Sequence, residues 1–453
     1  MQTKTVLRIF GLLILTALLA PAVVRSQTPA TSQAPQTTAI RAGRLFDPKS
    51  GTNLMNQVVI IKGDRVSDVG PADRVQIPPD AKVIDLSRAT VLPGLIDGHV
   101  HLTDASVGLQ HQMMVALYSA TQSLNAGYTT LVPMGSHGGG YADVELRNAI
   151  DAGFVHGPRI LPAGPLIEIT SPGKTTFPLD WKPFEPSIYA DGPGQFREAV
   201  RQLAHYGADH IKIMTTGAFY FKPGTGEMVN QELPTLDEVK AAVEEAHRLG
   251  LFVASHTYGG PGLKHAIEVG EEDIQHGLAA DDEDIKMLVQ KNLPITSTIL
   301  DQRQDEPGDL KRFAPYSRWR IQQVTWKKMM TAGVRLGFGS GAAPVTNGQG
   351  RIYNLACQCS HGVQGEMFPV FVSWGATPVY TLRMATMVNA EIIHQQNNLG
   401  SIEKGKFADV IAVSGDPLQD ISEMQRVKFV MKGGEVFRDE LTALGNGALR
   451  TAK

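Results

Sequence analysis

The stretch VLPGLIDGHVHL, residues 91–102, decides how the rest of the chain is read. Its apolar run Leu95-Ile96 leads through Asp97-Gly98 into His99-Val100-His101. In a β-strand, residues two apart face the same side, so His99 and His101 leave the strand end together. Two imidazoles pointing one way form a ligand pair for a zinc-like ion, because neutral imidazole suits such metals. Taken alone, an H-x-H pair does not separate a metal site from chance, so the neighbouring sequence has to decide.

Downstream, apolar runs alternate with amphipathic stretches. The runs are Thr129–Val132, Arg159–Pro162, His210–Met214, Leu251–Ser255, Pro294–Ile299 and Val334–Phe338. The clearest helix is TLDEVKAAVEEAHRLG, residues 235–250: Thr235 and Glu238 form a capping-box pair, Ala242, Val243 and Ala246 share a face, and Gly250 ends it. Repeated strand–helix alternation predicts an α/β protein, a (β/α)8 TIM barrel, whose active site belongs at the C-terminal strand ends. Two further histidines occupy such ends. His256 closes LFVASH and His276 closes EDIQH, 20 residues later, which places both on one rim from neighbouring strands. Lys212, inside the apolar run HIKIM, is a buried cation that needs a partner. As a neutral amine it can capture CO₂ and become an anionic ligand; a side chain snorkelling to the rim is the equal alternative.

The two ends have a different texture. Ala39–Phe46, Val58–Ile61, Arg65–Val69, Lys82–Leu86 and Thr90–Leu92 read as short strands, as do Ala408–Val413, Val427–Met431 and Glu435–Arg438. They predict one small β-sandwich domain built from both termini, parts 39–93 and 396–440, around a barrel at 94–395 and before a tail at 441–453. Residues 1–26 combine Lys4 and Arg8 with an apolar run of 16, Ile9–Val24, and end in Val24-Arg25-Ser26. That pattern reads as a cleaved secretory signal peptide, with an uncleaved membrane anchor as the alternative. The expectation is an exported protein, periplasmic or secreted, with no stable membrane anchor after cleavage. Residues 27–38 read as a flexible linker.

Charge bounds the partners. The chain has 42 Lys+Arg against 45 Asp+Glu, and the leader holds Lys4, Arg8 and Arg25 with no acid, so the body has 39 against 45, a formal −6. That lacks the basic surplus of a nucleic-acid binder. Only 2 cysteines exist, Cys357 and Cys359, so no disulfide scaffold is available. A bridge across so short a loop is strained, and two free thiols are expected, with a C-x-C metal site as the alternative. The charged stretch from Lys291 to Arg320 reads as a solvated loop rather than a lid.

In this order, VLPGLIDGHVHL (91–102), GYTTLVPMG (127–135), DHIKIMTTGA (209–218), LFVASHTYG (251–259), DIQHG (273–277) and LGSIEKGKFADVIAVSGDPL (399–418) resemble the amidohydrolase superfamily. The likeness is greatest to its prolidase-like and imidazolonepropionase-like members, and it runs from about residue 39 to residue 438. The resemblance implies two divalent metal ions, zinc, with His99 and His101 on one, His256 and His276 on the other, and Lys212 bridging as a carbamate. It implies a metal-bound hydroxide as nucleophile, and hydrolysis of a C–N bond in a small amide, N-acyl amino acid, dipeptide or cyclic amide. Tyr258, close behind His256, is a candidate hydrogen-bond donor to a substrate carbonyl, or else a packed core residue.

The sequence departs from the family at two places. Where the last strand carries an Asp that binds metal and moves a proton, this chain reads FGSGAAP, with Gly341 at that position. Losing general acid–base help costs about 10²–10⁴-fold. Three replacements offer themselves: Ser340 holding a water, Glu366 from the following loop, or His361 as proton donor. Second, Val132-Pro133 stands where relatives often carry Arg-Asp. Asp104 and Glu168 are further acids near the predicted strand ends. Two readings of different class result: an active hydrolase, or a metal- or ligand-binding relative impaired at Gly341, its centre reduced to a single ion. A deaminase is a third, on the same fold.

Overall fold

The computed structural model describes residues 37–103, 108–170, 187–299, 317–344 and 360–442. Residues 1–36, Asp104, Cys357, Cys359, residues 300–316 and the tail from 443 lie outside the described residues.

The first barrel strand, Leu95–Val100, lies parallel to the second, Tyr128–Pro133, which pairs with Arg159–Ile160. That third strand is broken and resumes at Leu166–Glu168, where Ile167 pairs with Ile213 of the fourth, His210–Met214. The fifth to eighth strands follow in parallel order: Phe252–Thr257, Asp273–His276, Ile295–Thr298 and Leu336–Gly339. A parallel bridge between Val100 and Ala342 returns to the first strand and closes the barrel. Counting residues 159–168 as one strand, the barrel has the eight that the alternation predicts.

The outer helices form for local reasons. Helix Leu236–Arg248 starts at the Thr235–Glu238 capping box, with both reciprocal bonds present. Its buried Val239, Ala242, Val243 and Ala246 pack with Phe196, Val200 and Leu203 of helix Pro193–Tyr206 over Ile211, Ile213 and Val253 of the strands. Each large apolar side chain so buried contributes about 1.5–3 kcal/mol.

The terminal segments form one seven-stranded sheet, ordered 435–439, 429–432, 410–413, 82–93, 37–47, 52–62 and 65–71. Period-two alternation fills both faces: Val59 and Ile61 join one apolar cluster, Val58 and Ile60 another. Lys82–Leu86 and Thr90–Leu92, read from sequence as two strands, are one strand, Lys82–Pro93. Its pairing slips beside Gly43, where a Cβ would sit 2.0 Å from the Ser87 carbonyl oxygen. Glycine lets the chains touch there, and the strand passes through the irregularity unbroken.

Asn389 joins the ends of the barrel. Its buried amide donates to the carbonyls of Ile96 (2.8 Å) and Phe338 (2.7 Å) and accepts from the Phe338 amide (3.1 Å). Strands one and eight are thereby held in register immediately below the histidines of the first strand.

Candidate active site

All four strand-end histidines meet at one mouth of the barrel. The rings of His99 and His101 are 5.1 Å apart, those of His99 and His276 4.8 Å, and those of His256 and His276 4.5 Å. Facing nitrogens are closer: His99 Nε2 to His101 Nε2 is 3.2 Å, and His256 Nδ1 to His276 Nε2 is 3.0 Å. Two nitrogens on one tetrahedral zinc, each at about 2.0–2.1 Å, stand about 3.3–3.4 Å apart. Both pairs are close to that spacing.

Tautomers support the same use. His101 Nδ1 lies 3.4 Å from the Gly135 carbonyl oxygen, and His99 Nδ1 lies 2.7 Å from Gln275 Oε1. Both oxygens accept, so both Nδ1 atoms carry hydrogen and both Nε2 lone pairs face each other. Two opposed lone pairs repel unless an electrophile lies between them, and a metal-binding histidine typically donates its other N–H in this way. His276 is fixed through Nδ1 by the Thr298 hydroxyl. Its backbone takes φ +72°, a strained value for a side-chain-bearing residue and one that recurs at functional sites.

Electrostatics keep these histidines neutral. Burial, with the Lys212 charge next, holds His99 well below the usual imidazole range and His256 at about 3. Burial also depresses His101 and His276, with His137 and His256 respectively as the next cause. Neutral imidazole is the form that binds metal.

Lys212 is 2% exposed, and its Nζ has no hydrogen-bond partner. Burial pulls its pKa down to about 7 against the attraction of Asp273 and Glu271, whose own carboxyls burial raises to about 6 and about 8. The register sets Lys212 beside Ala254 and Met214 beside His256, so the lysine lies one strand over and two residues below His256. A neutral, orphaned amine at this depth has the chemistry that carbamate formation requires. Among the described residues, no group of three or more His, Cys, Asp or Glu side chains is placed to hold a metal ion. The donor set fits a metal pairwise, through opposed nitrogens and an orphaned amine.

The remaining candidates divide. The Tyr258 ring lies 4.8 Å from His256 and 5.3 Å from His276, inside the site. Phe219, on the hairpin strand Thr216–Phe221 after the fourth barrel strand, stands 6.0 Å from Tyr258 and extends that aromatic wall. His361 donates from Nε2 to the His101 carbonyl at 2.9 Å, and its Nδ1 accepts from the Ser123 hydroxyl at 2.8 Å. Both nitrogens are thus committed to fastening its loop to the first strand. Ser340 Oγ accepts from the Ala342 amide, and Glu366 is exposed on a short turn, Gln364–Glu366. Glu168 is half-buried and bonded by the Ser187 and Tyr189 side chains. Gly341 has φ +64°, and a Cβ there would meet only Thr298, at 3.7 Å.

Sequence reading missed Asp97, Gln275, Thr298 and His137. Asp97 Oδ1 accepts from the amides of His99 (3.2 Å) and Ser340 (2.9 Å), tying strand one to the turn that carries Gly341, and burial raises its carboxyl to about 7. The signal for Gln275 lay in its place one residue before His276. His137, in the glycine-rich GSHGGG after the second strand, reaches His101 with ring centroids 4.0 Å apart.

The model of the Amidohydrolase family matches residues 90–437. Ochratoxinase of Aspergillus niger is 25% identical, the match covering 90% of this chain and 88% of that protein. A crystal structure of a Xaa-Pro dipeptidase with bound methionine in the active site superposes with TM-score 0.75 at 29% identity, over 89% of this chain and all of that one. A prolidase complexed with N-methylphosphonate-L-proline gives TM-score 0.75 at 27% identity, with the same two coverages. Divalent metals are typical of the family. The chain belongs to the amidohydrolase family, as a hydrolase of carbon–nitrogen bonds.

Proposed function

We propose that this protein is an exported, metal-dependent amidohydrolase that cleaves the amide bond of a small N-acyl amino acid or dipeptide. The observation that carries the reading is the opposed lone pairs of His99 and His101, 3.2 Å apart, beside a second histidine pair and an orphaned buried lysine. His99 and His101 would hold one ion, His256 and His276 a second, and Lys212 would join them as its carbamate. Bound divalent metals, zinc in this reading, supply an activated water of pKa ~7 and a Lewis acid for the scissile carbonyl.

The protein's own groups do the rest. Gln275 and the Gly135 carbonyl hold the first pair in the binding tautomer, and Thr298 holds His276. Tyr258 would donate a hydrogen bond to the substrate carbonyl, while Phe219 covers that side with an apolar ring. The substrate class is supported by the relatives: an ochratoxinase, a Xaa-Pro dipeptidase and a prolidase holding a proline phosphonate. Export rests on residues 1–26, a basic start followed by a 16-residue apolar run.

The test is turnover of an N-acyl amino acid and Xaa-Pro panel by metal-replete protein, with metal content measured beside it. Activity should vanish in Lys212→Ala. Fewer than one equivalent of bound metal, or turnover unchanged in that variant, would refute the reading. Gly341 favours one rival, a binding protein impaired in catalysis, and this rival expects metal without turnover.

A further inference from the structure

The proposed function leaves one acid of the barrel mouth without a task. Glu168 ends the resumed third strand, Leu166–Glu168, and pairs with Tyr189 of a short flanking strand, Ser187–Tyr189. Strand periodicity fixes the way it faces, because successive residues point to opposite sides. Ile167 packs with Ile211, Ile213 and Val253 in the cluster beneath helices Pro193–Tyr206 and Leu236–Arg248. The residues between these face inward: Phe252 and Ala254 belong to the interior cluster with Ile96 and Val132, and His256 follows on the same side. Glu168, next to Ile167, therefore faces the barrel axis, as Lys212 and His256 do.

The register sets its height. Ile167 pairs with Ile213, so Glu168 is level with Met214, and Met214 pairs with His256. Neighbouring strands lie about 4.8 Å apart, which puts the Glu168 backbone about 10 Å from that of His256, across Met214. On the other side, Leu166 shares the inward face of Glu168 and comes within 3.2 Å of where a Cβ of Gly135 would sit. The Gly135 carbonyl is the one that orients His101. The acid thus stands between the His256 strand and the loop behind His101, at the height of the histidines.

Its surroundings prepare a negative charge and do not neutralise it. Burial pushes the Glu168 carboxyl up, the Ser187 and Tyr189 side chains bond it and pull it down, and no cation among the described residues contributes. A carboxylate withdrawn from water without a counter-ion is costly. It has about four lone-pair sites, and two donors leave the rest open. The group that suits them is an ammonium, which brings both charge and N–H donors.

We infer that Glu168 binds the free α-ammonium group of a dipeptide substrate, so that the site selects dipeptides over N-acyl amino acids. The inference deepens the proposed function and rests on it. In a dipeptide the carbon that carries the ammonium adjoins the scissile carbonyl. A carboxylate holding that ammonium level with His256 turns the carbonyl toward the histidines. An N-acyl amino acid has no charge at that place, so it forfeits the contact and leaves the carboxylate unpaired.

The test compares two substrates that differ only in the ammonium, alanyl-proline and propionyl-proline, on the metal-replete full chain. Wild type should show a kcat/KM about 10–100-fold higher for alanyl-proline, the worth of one charge-assisted contact. Glu168→Gln keeps the length of the side chain and an oxygen for Ser187 and Tyr189. It should erase most of the preference and bring the two substrates to within about threefold of each other. If that variant misfolds, the wild-type ratio decides by itself. Equal kcat/KM for both substrates in wild type, or an equal loss on both in the variant, would overturn the inference and leave the proposed function standing. A wild type that turns over neither substrate would overturn both.

Discussion

Replacing Lys212 by methionine should abolish turnover and yet stabilise the metal-free protein. The side chain is fully enclosed, its Nζ is unpartnered, and burial holds its pKa at about 7 instead of 10.5. Keeping an amine at that value costs the fold at most about 5 kcal/mol, of which about 4 apply at pH 7.5. The value of about 7 already contains the attraction of Asp273 and Glu271 for the ammonium; in the variant these two buried carboxyls lose a cation and their own ionisation costs more, which leaves a net gain of about 2–4 kcal/mol. Methionine has a similar length and no charge to desolvate. The sign follows from linkage: between pH 7 and 10.5 the unfolded chain binds the lysine proton and the folded chain does not. Wild-type stability from this group therefore rises with pH across that window, and the advantage of the variant shrinks toward pH 10.5. Thermal melts of chelator-treated protein at pH 7.5 and 10 read both effects, and hydrolysis by metal-loaded protein reads the loss of activity. A Lys212→Met variant that melts at or below wild type at pH 7.5, or whose advantage does not fall by pH 10, would refute this account of the buried amine.

Three further outcomes are expected. Asn389→Ala strands the Ile96 carbonyl and both backbone groups of Phe338, and should cost about 3–5 kcal/mol in urea titrations; a loss under 1 kcal/mol would mean that strands one and eight are held otherwise. Gly341→Asp meets no steric obstacle, since its Cβ would approach only Thr298, but φ +64° adds strain of about 1–2 kcal/mol. Turnover of the variant should rise above wild type, by up to about 10²–10⁴, whereas unchanged turnover would mean that another group has taken the place of the missing acid. Glu245, bonded by Arg248 and Arg201, has its carboxyl lowered to about 2, so its stabilising effect is present above the ordinary carboxylate range and is lost as pH falls toward 2. Glu245→Gln should flatten the melting temperature between pH 4.5 and 2 relative to wild type; parallel curves would contradict the assignment.

What the sequence reveals about this fold is mostly what depends on near neighbours. The capping box at Thr235 and Glu238, the shared face of Ala242, Val243 and Ala246, and the strand His210–Met214 are local, and the structure has each of them. His99 and His101 are legible because strand period alone puts them together. The four-histidine meeting is legible because parallel strands a repeat apart reach the same rim. Less legible are contacts between distant residues whose meeting no pattern encodes: His99 with Gln275, His101 with His361, and above all His137 with His101 across a loop of irregular backbone. The unbroken strand Lys82–Pro93 was obscured for a related reason, because its irregularity is permitted by Gly43 on another strand.

The sheet shared by the two ends of the chain also governs when the molecule can finish folding. Strand Lys82–Pro93 pairs on one side with residues 410–413, which in turn pair with 429–432. During synthesis that side remains a bare edge until residues 410–432 have left the ribosome, and Leu95, where the first barrel strand begins, is only two residues beyond it. Chains stopped short of residue 410 keep an unpaired apolar edge next to the His99 strand, and they are candidates for aggregation and proteolysis. Late closure of this kind would suit the export proposed above, in which a polypeptide is threaded through a membrane before it acquires its shape.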